Sequence, residues 1–362
     1  MTQIGKCQLW SKWLDLQSPK DIGFSAKFAM ILVNVRERKS RCMGRSVAII
    51  GVAGFIGSNL ACELLQRGWH VTGLDCFSQY YAKKIKLDNL ESIAQHNNFK
   101  FFEKELLPDT LHEVIKVLPS VDAVIDAAAL PGVRYSLKNA NQVLKWNGNT
   151  ASASARLARL AGATHYVYLS SSSVYGQGEL PYSEATSLCS PLSPYAMSKV
   201  EAENAIAEVF AGTNVNRWIL RLFSVYGPNL RPDLALAKFA SQIARGEPIS
   251  VYGSLDMSRD FTYVSDVARA VSLALERDSV ETEILNISRG EDILLRHVIV
   301  GLEEIIGRKA QIRLLPKNEY EPHNTLGNPE KASVRLGFRA EVPFPQGLIL
   351  TTPWLKKTMD VK

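Results

Sequence analysis

The segment Val47-Ala-Ile-Ile-Gly51-Val-Ala-Gly54-Phe55-Ile56-Gly57 constrains this chain more than any other stretch. A buried apolar run leads straight into three glycines spaced three apart, then into an amphipathic stretch from Ile56 to Arg67. Gly51 permits the tight turn, Gly54 lets backbone approach a pyrophosphate, and Gly57 lets the helix pack on the strand. The start of that helix, through Phe55 and Ile56, then faces phosphates with unpaired N–H groups and the positive end of its dipole. Alone, such spacing is equally a plain βα turn. His70–Leu74 adds weight, because it reads as a second strand ending in Asp75, 24 residues after Gly51. A carboxylate there accepts ribose hydroxyls and repels a 2′-phosphate, which favours NAD over NADP.

From Ser46 onward, short β-rich runs alternate with longer amphipathic ones. Strands are expected at Val47–Gly51, His70–Asp75, Lys100–Phe102, Ala123–Asp126, His165–Ser170 and Trp218–Leu222. Helices are expected at Ile56–Arg67, Gln142–Ala161 and Tyr195–Phe210. This alternation implies an α/β fold, a doubly wound parallel (Rossmann) sheet with ligands beyond the carboxyl ends of its strands. Past Tyr226 the alternation becomes irregular and richer in Gly and Pro, which suits a smaller C-terminal lobe. The expected division is an extension over 1–42, a cofactor domain over 43–226, and a mainly substrate-binding lobe over 227–362. The extension is assigned no role: translation beginning at Met43, a loose tail and a targeting or partner-binding segment all fit it.

Charge excludes a nucleic-acid partner. The formal net charge is +6, but residues 1–45 carry nine Lys/Arg and three Asp/Glu, so the whole excess lies there. The rest balances 33 basic against 33 acidic residues and offers no phosphate-tracking surface. Five scattered cysteines (Cys7, Cys42, Cys62, Cys76 and Cys189) form no CxxC pair, fit neither a disulfide framework nor a zinc site, and suit a cytoplasmic location. The apolar stretch Phe28–Val35 is far short of the ~20 residues a membrane span needs, and it lacks a signal peptide's organisation. No metal and no membrane contact are expected.

Tyr195-Ala-Met-Ser-Lys199 puts a phenol and an ammonium on one helical face. Two cations, the lysine and a nicotinamide ring, would favour phenolate. Bringing a tyrosine from a pKa of ~10 to ~7 takes about 4 kcal/mol of differential interaction and yields a base matched to neutral pH. The run Ser170-Ser171-Ser172-Ser173-Val-Tyr-Gly176 ends the fifth expected strand, where Ser171 could hold a hydroxyl undergoing oxidation. Singly, Tyr-x-x-x-Lys occurs by chance in many helices and a serine run is often a polar loop. The order of glycine loop, acidic strand end, serine-rich strand end and Tyr/Lys helix carries the inference.

From about Ser46 to Leu348 the chain resembles the extended short-chain dehydrogenase/reductase family, and within it the UDP-glucuronate 4-epimerases. The closer resemblance rests on Pro131-Gly-Val-Arg134-Tyr-Ser136, Ser170–Gly176, Tyr195–Lys199, Arg221-Leu-Phe-Ser224-Val-Tyr-Gly-Pro228, Arg231-Pro-Asp-Leu-Ala-Leu236 and Arg259-Asp-Phe-Thr-Tyr263. The resemblance implies that Tyr195 is the base, Lys199 holds the ribose and the tyrosine's charge, and Ser171 orients the sugar hydroxyl. It further implies that Arg259 pairs with the sugar-nucleotide diphosphate and Arg231 grips a sugar carboxylate. Ser172, Ser173, Ser224 and Arg134 fall on the substrate side. Each arginine has a plainer reading: a solvated loop charge for Arg231, an ion pair with Asp256 or Asp260 for Arg259, a loop brace for Arg134. The helices Gln142–Ala161 and Tyr195–Phe210 correspond to the pair that forms a homodimer interface in this family.

Oxidation of such a sugar at position 4 gives a ketone with three fates. Related dehydratases carry Asp-Glu where this chain has Ser172 and Ser173, and related decarboxylases place Glu at Ser173. With neither carboxylate present, 4-epimerisation is the simplest fate. Open alternatives are a 4-epimerase of a neutral UDP-hexose, a UDP-glucuronate decarboxylase and, outside catalysis, an NAD-binding sensor. Several positions depart from the family pattern: Ile50 for Thr, Glu105 for an adenine-contacting Asp, Asp126 for His, Leu130 for Gln, Pro131 for a small residue, Asn229 for Trp and Asn328 for Asp. The Asp126–Pro131 cluster bears on cofactor grip or substrate choice.

Overall fold

The computed structural model describes residues 44–185, 190–279, 281–317 and 319–359. The extension over 1–42, Met43, Cys7, Cys42 and Cys189 lie outside the described residues. Seven parallel strands form the central sheet. They are β1 (Ser46–Ile50), β2 (His70–Asp75), β3 (Phe99–Glu103), β4 (Ala123–Asp126), β5 (His165–Ser171), β6 (Asn216–Leu222) and, after three strands outside this sheet, β10 (Thr282–Ile287). Their spatial order is β10-β6-β5-β4-β1-β2-β3. The chain starts in the middle, winds outward to β3, then returns to the other side of β1 at β4. Strand order therefore reverses between β1 and β4, and the crevice for a ligand opens there.

The helices that link these strands are α1 (Phe55–Gln66), α2 (Lys83–Glu91), α3 (Leu111–Val117), α4 (Val133–Lys138), α5 (Ala140–Leu160) and α6 (Pro194–Val209). Local chemistry explains the start of α6: the Ser193 hydroxyl accepts the Ala196 N–H at 3.2 Å, and Pro194 occupies the first turn. Helices α5 and α6 pack along each other, and one apolar core joins them to β1, β4 and β5 through Ala151, Ala155, Ala158, Tyr166, Ala202 and Ile206. Small residues on α5 permit that close approach. The expected strands and helices fall within one or two residues of those observed, with Gly51 leaving β1 for the turn.

After β6 come β7 (Ser224–Tyr226), α7 (Ala235–Arg245), β8 (Ile249–Tyr252), β9 (Ser258–Tyr263) and α8 (Val264–Ala274). Beyond β10 lie β11 (Asp292–Leu294), α9 (Leu295–Ile306), β12 (Ile312–Leu315), α10 (Glu330–Leu336) and α11 (Phe344–Met359). Two small sheets, β11-β9-β7 and β12-β8, stand beside the main one. A second core, around Tyr226, Phe239, Ile243, Tyr263 and Phe344, holds this region. Residues 44–362 form one compact unit, and β10 re-enters the central sheet beside β6. That seventh strand is absent from the sequence reading. No helix among the described residues is long and apolar enough to cross a membrane.

Candidate active site

The glycine loop follows β1 at the reversal point. Gly51 has φ +81°, and a Cβ on it would lie 2.9 Å from the backbone of Ala128, which follows β4. A Cβ on Gly57 would stand 2.2 Å from the Gly51 carbonyl oxygen, and one on Gly54 3.1 Å from the same atom. Only glycine fits this turn unstrained. Among the described residues no side chain caps the N-terminus of α1, which leaves its first N–H groups, beginning at Phe55 and Ile56, available to an anion. This cradle suits a pyrophosphate.

Asp75 ends β2 and is buried. It accepts the Ala53 N–H at 3.2 Å and the Phe77 N–H at 2.8 Å, and the Lys86 ammonium stands 3.3 Å away. Of roughly four acceptor positions on a carboxylate, three are in use, which leaves room for one ribose hydroxyl. A cleft of about 640 Å³ opens beside it, lined by Phe77, Tyr80, Glu105, Leu130, Tyr135 and Trp146 among others. Two departures, Glu105 and Leu130, thus border this cleft. A separate cavity of about 650 Å³, at Arg245, Gly307 and Arg308, includes none of the expected site residues. The glycine cradle and the acidic strand end together fit a dinucleotide.

Ser171 closes β5, and Ser172 opens the 3₁₀ turn that follows. The Ser171 hydroxyl accepts both the Ser173 N–H at 3.2 Å and the Ser173 hydroxyl at 2.9 Å. Tyr195 stands in the first turn of α6, half-buried. Burial raises its phenol above the usual tyrosine range, while the Arg231 guanidinium and a hydrogen bond with Ser171 pull it down. Lys199, one turn along, is buried. Its ammonium donates to the Tyr168 hydroxyl at 3.0 Å and the Leu169 carbonyl at 2.8 Å. The sequence reading has Lys199 lowering the tyrosine; in the structure the cation acting on Tyr195 is Arg231. Burial pushes Lys199 itself down to about 8, against the opposing pull of Asp126 and Glu203.

Arg231 is no solvated loop charge. It forms a bidentate pair with Asp233, and its plane lies over the Tyr80 ring at 5.6 Å. The Tyr80 hydroxyl donates to the same Asp233 carboxylate at 2.9 Å. Arg259 pairs with neither Asp256 nor Asp260. Its Nη1 donates to the Ser258 and His323 carbonyls at 2.8 Å each, and its Nη2 lies 3.9 Å from Glu321. Asp256 meets Arg296 instead, and Asp260 accepts three backbone N–H groups from Arg289, Gly290 and Gly327. Arg134 also reaches Glu321, at 3.2 Å, and stacks on Tyr252 at 4.1 Å. The structure thus gathers Arg134 and Arg259 around one carboxylate. Ser224 starts β7 opposite Phe261 of β9, on the sheet that carries Arg259.

Sequence reasoning missed Tyr168, Glu203, Asp233, Glu321 and Lys86. Glu203 follows Lys199 by one helical turn, and Asp233 sits inside the Arg-Pro-Asp run, so spacing could have found both. Nothing local marks Glu321. The departure Asn229 has a backbone reason: its φ is +65°, a left-handed value that asparagine tolerates and tryptophan resists, and its amide donates to Ser58 at 3.1 Å.

Residues 47–288 match the model of the NAD dependent epimerase/dehydratase family. A UDP-glucuronate 4-epimerase from Thermodesulfobacterium geofontis is 31% identical over 314 residues, covering 86% of this chain and 97% of the relative. An uncharacterised UDP-glucose epimerase from Bacillus subtilis is 34% identical over 306 residues, covering 83% and 95%. Among solved structures, the UDP-glucuronic acid 4-epimerase of Bacillus cereus, in complex with UDP-glucuronic acid and NAD, superimposes with a TM-score of 0.81 at 30% identity, over 86% of this chain and 99% of that one.

Proposed function

Because the chain belongs to the NAD dependent epimerase/dehydratase family, we propose that it is an NAD-dependent UDP-sugar 4-epimerase whose substrate is UDP-glucuronate. The observation that carries the reading is the convergence of Tyr195, Ser171 and Arg231 at the carboxyl ends of β5 and β7, with no carboxylate in the serine run.

Gly51, Gly54, Phe55, Ile56, Gly57 and Asp75 would hold NAD, with Tyr195 and Lys199 beside its nicotinamide end. When bound, that cofactor supplies reversible hydride acceptance, which interconverts a carbinol and a ketone at sugar position 4. Tyr195 removes the 4-hydroxyl proton and later returns one, and Ser171 orients the oxygen. The Arg231 guanidinium favours the phenolate and keeps three N–H donors beyond its pair with Asp233, enough to hold a sugar carboxylate. Holding that carboxylate also opposes its loss, to which a β-keto acid is prone. Arg134 and Arg259 offer two guanidiniums to a diphosphate that competes with Glu321. Ser172, Ser173 and Ser224 line the sugar side, and residues 227–362 serve mainly as a substrate-binding lobe.

A homodimer through α5 and α6 and a cytoplasmic location complete the proposal. Exposed Met197 on α6 and Leu160 at the end of α5 support the former, and the scattered cysteines support the latter. The test is NMR product analysis of purified protein against a panel of UDP-sugars. UDP-galacturonate formed from UDP-glucuronate supports the reading. Turnover confined to neutral UDP-hexoses moves the assignment to a UDP-glucose-type epimerase, and a pentose product moves it to a decarboxylase.

A further inference from the structure

The departure at Asp126 lies beneath the lysine of the active site. Asp126 closes β4 directly opposite Tyr168 of β5 in the sheet register, and the Tyr168 hydroxyl is the group that holds the Lys199 ammonium. Every member of this cluster is buried. One Asp126 oxygen accepts the Ala128 N–H at 3.0 Å. The other lies 2.6 Å from the Ser154 hydroxyl, which in turn meets the Tyr166 hydroxyl at 2.8 Å. A 2.6 Å contact falls in the range of hydrogen bonds from a hydroxyl to an ionised carboxylate. Tyr166 can donate to Ser154 and Ser154 to Asp126, a chain that ends on the Asp126 carboxyl group.

The charged and titratable groups that face Lys199 are few. Among the described residues, Asp126 comes from β4, Tyr168 from β5, and Glu203 from its own helix. Glu203 is committed elsewhere: both its oxygens bind Arg221, at 3.1 and 2.7 Å, and one also takes the Ser170 hydroxyl at 2.5 Å. The hydrogen bonds of Asp126, among the described residues, come only from neutral groups.

We propose that Asp126 is a positioning residue for the reaction: its carboxylate is the buried counter-charge that keeps Lys199 an ammonium in the working pH range. This rests on the epimerase reading of the site. Burial pushes Lys199 toward neutrality, and Asp126 is the first group to oppose it. Burial raises the Asp126 carboxyl above the usual carboxylate range, and the Ser154 hydroxyl, the Lys199 ammonium and the Ala128 N–H all oppose that rise.

The test is a titration of lysine ¹³Cε resonances in the purified full-length protein, with Lys199→Arg to assign the signal, alongside the pH profile of kcat. In the wild type the Lys199 midpoint is expected near 8. Asp126→Asn is expected to lower it by about one pH unit or more and to move the alkaline limb of kcat by the same amount. Asp126→His places a residue that is neutral at high pH at this position, and the same shift is expected should the asparagine variant not fold. An unchanged Lys199 midpoint in a folded variant overturns the proposal, whatever kcat does. Absence of UDP-sugar turnover in the wild type sinks the epimerase reading, while the NMR midpoint still decides the role of Asp126.

Discussion

Arg231 and Asp233, two residues apart after β7, face each other as a bidentate ion pair, Nε to Oδ1 at 2.9 Å and Nη2 to Oδ2 at 3.0 Å. The pair fixes the plane of the guanidinium, so its remaining donors point in a set direction.

Arg231→Lys cannot reproduce that plane, because an ammonium is a point charge. Hydrogen bonds to charged groups contribute about 1.5–3 kcal/mol each, so one lost contact to a sugar carboxylate costs roughly 10- to 150-fold. The KM for UDP-glucuronate is expected to rise by that order, with the KM for UDP-glucose nearly constant. Equal changes for both sugars would remove Arg231 from carboxylate recognition.

Gly57→Ala drives a methyl group into the Gly51 carbonyl, 2.2 Å away and unable to yield without moving the loop. Overpacking of this kind costs about 1–3 kcal/mol, here spent on the cradle itself. Quantifying nucleotide released from the denatured protein should show at least about a fivefold loss of retained NAD. Retention equal to the wild type would mean that the cofactor does not rest on this turn.

Burial holds Lys199 at about 8, down from an ordinary 10.5. Between those values the folded chain binds fewer protons at this site than the unfolded chain, so this site's contribution to stability rises with pH across that window. Activity should move the other way, falling above pH 8 as the ammonium is lost. Thermal melts at pH 7.5 and 10 check the sign: Lys199→Met should lose this upward contribution relative to the wild type. A variant with the same pH dependence of Tm would contradict it.

Asp260 is fully buried and accepts the N–H groups of Arg289, Gly290 and Gly327. Burial raises it to about 6, against those hydrogen bonds. Asp260→Asn keeps one acceptor but turns an NH₂ toward donors. With the amide oxygen toward Gly290 and Gly327, the Arg289 N–H is left unpaired, so about 1–3 kcal/mol of stability should be lost. Chemical denaturation measures it; a loss under 0.5 kcal/mol, on the order of a surface substitution, would show that these three N–H groups have other partners.

The sheet was legible because each strand carries its own apolar run and each turn its own glycine or acid. The glycine loop, Asp75, Ser171, Tyr195 and Lys199 all lie where their local patterns put them. Contacts made across long separations were not legible. Glu321 reaches Arg134 from 187 positions away, and β10 joins β6 after 59 residues of intervening chain. The direction of the Lys199 ammonium also depends on Tyr168, a residue that from sequence is merely another core aromatic on β5. Helical spacing places a lysine beside a tyrosine but does not say which hydroxyl it chooses. Register across strands, rather than periodicity along one, decides it.

The most direct measurement uses UDP-glucuronate deuterated at sugar position 4, followed by NMR in ordinary water without added reductant. Epimerisation by oxidation and return at one carbon should give UDP-galacturonate with the label still at position 4 and neither NADH nor carbon dioxide accumulating. Loss of the label to solvent, or either by-product in stoichiometric yield, would contradict the mechanism at its root.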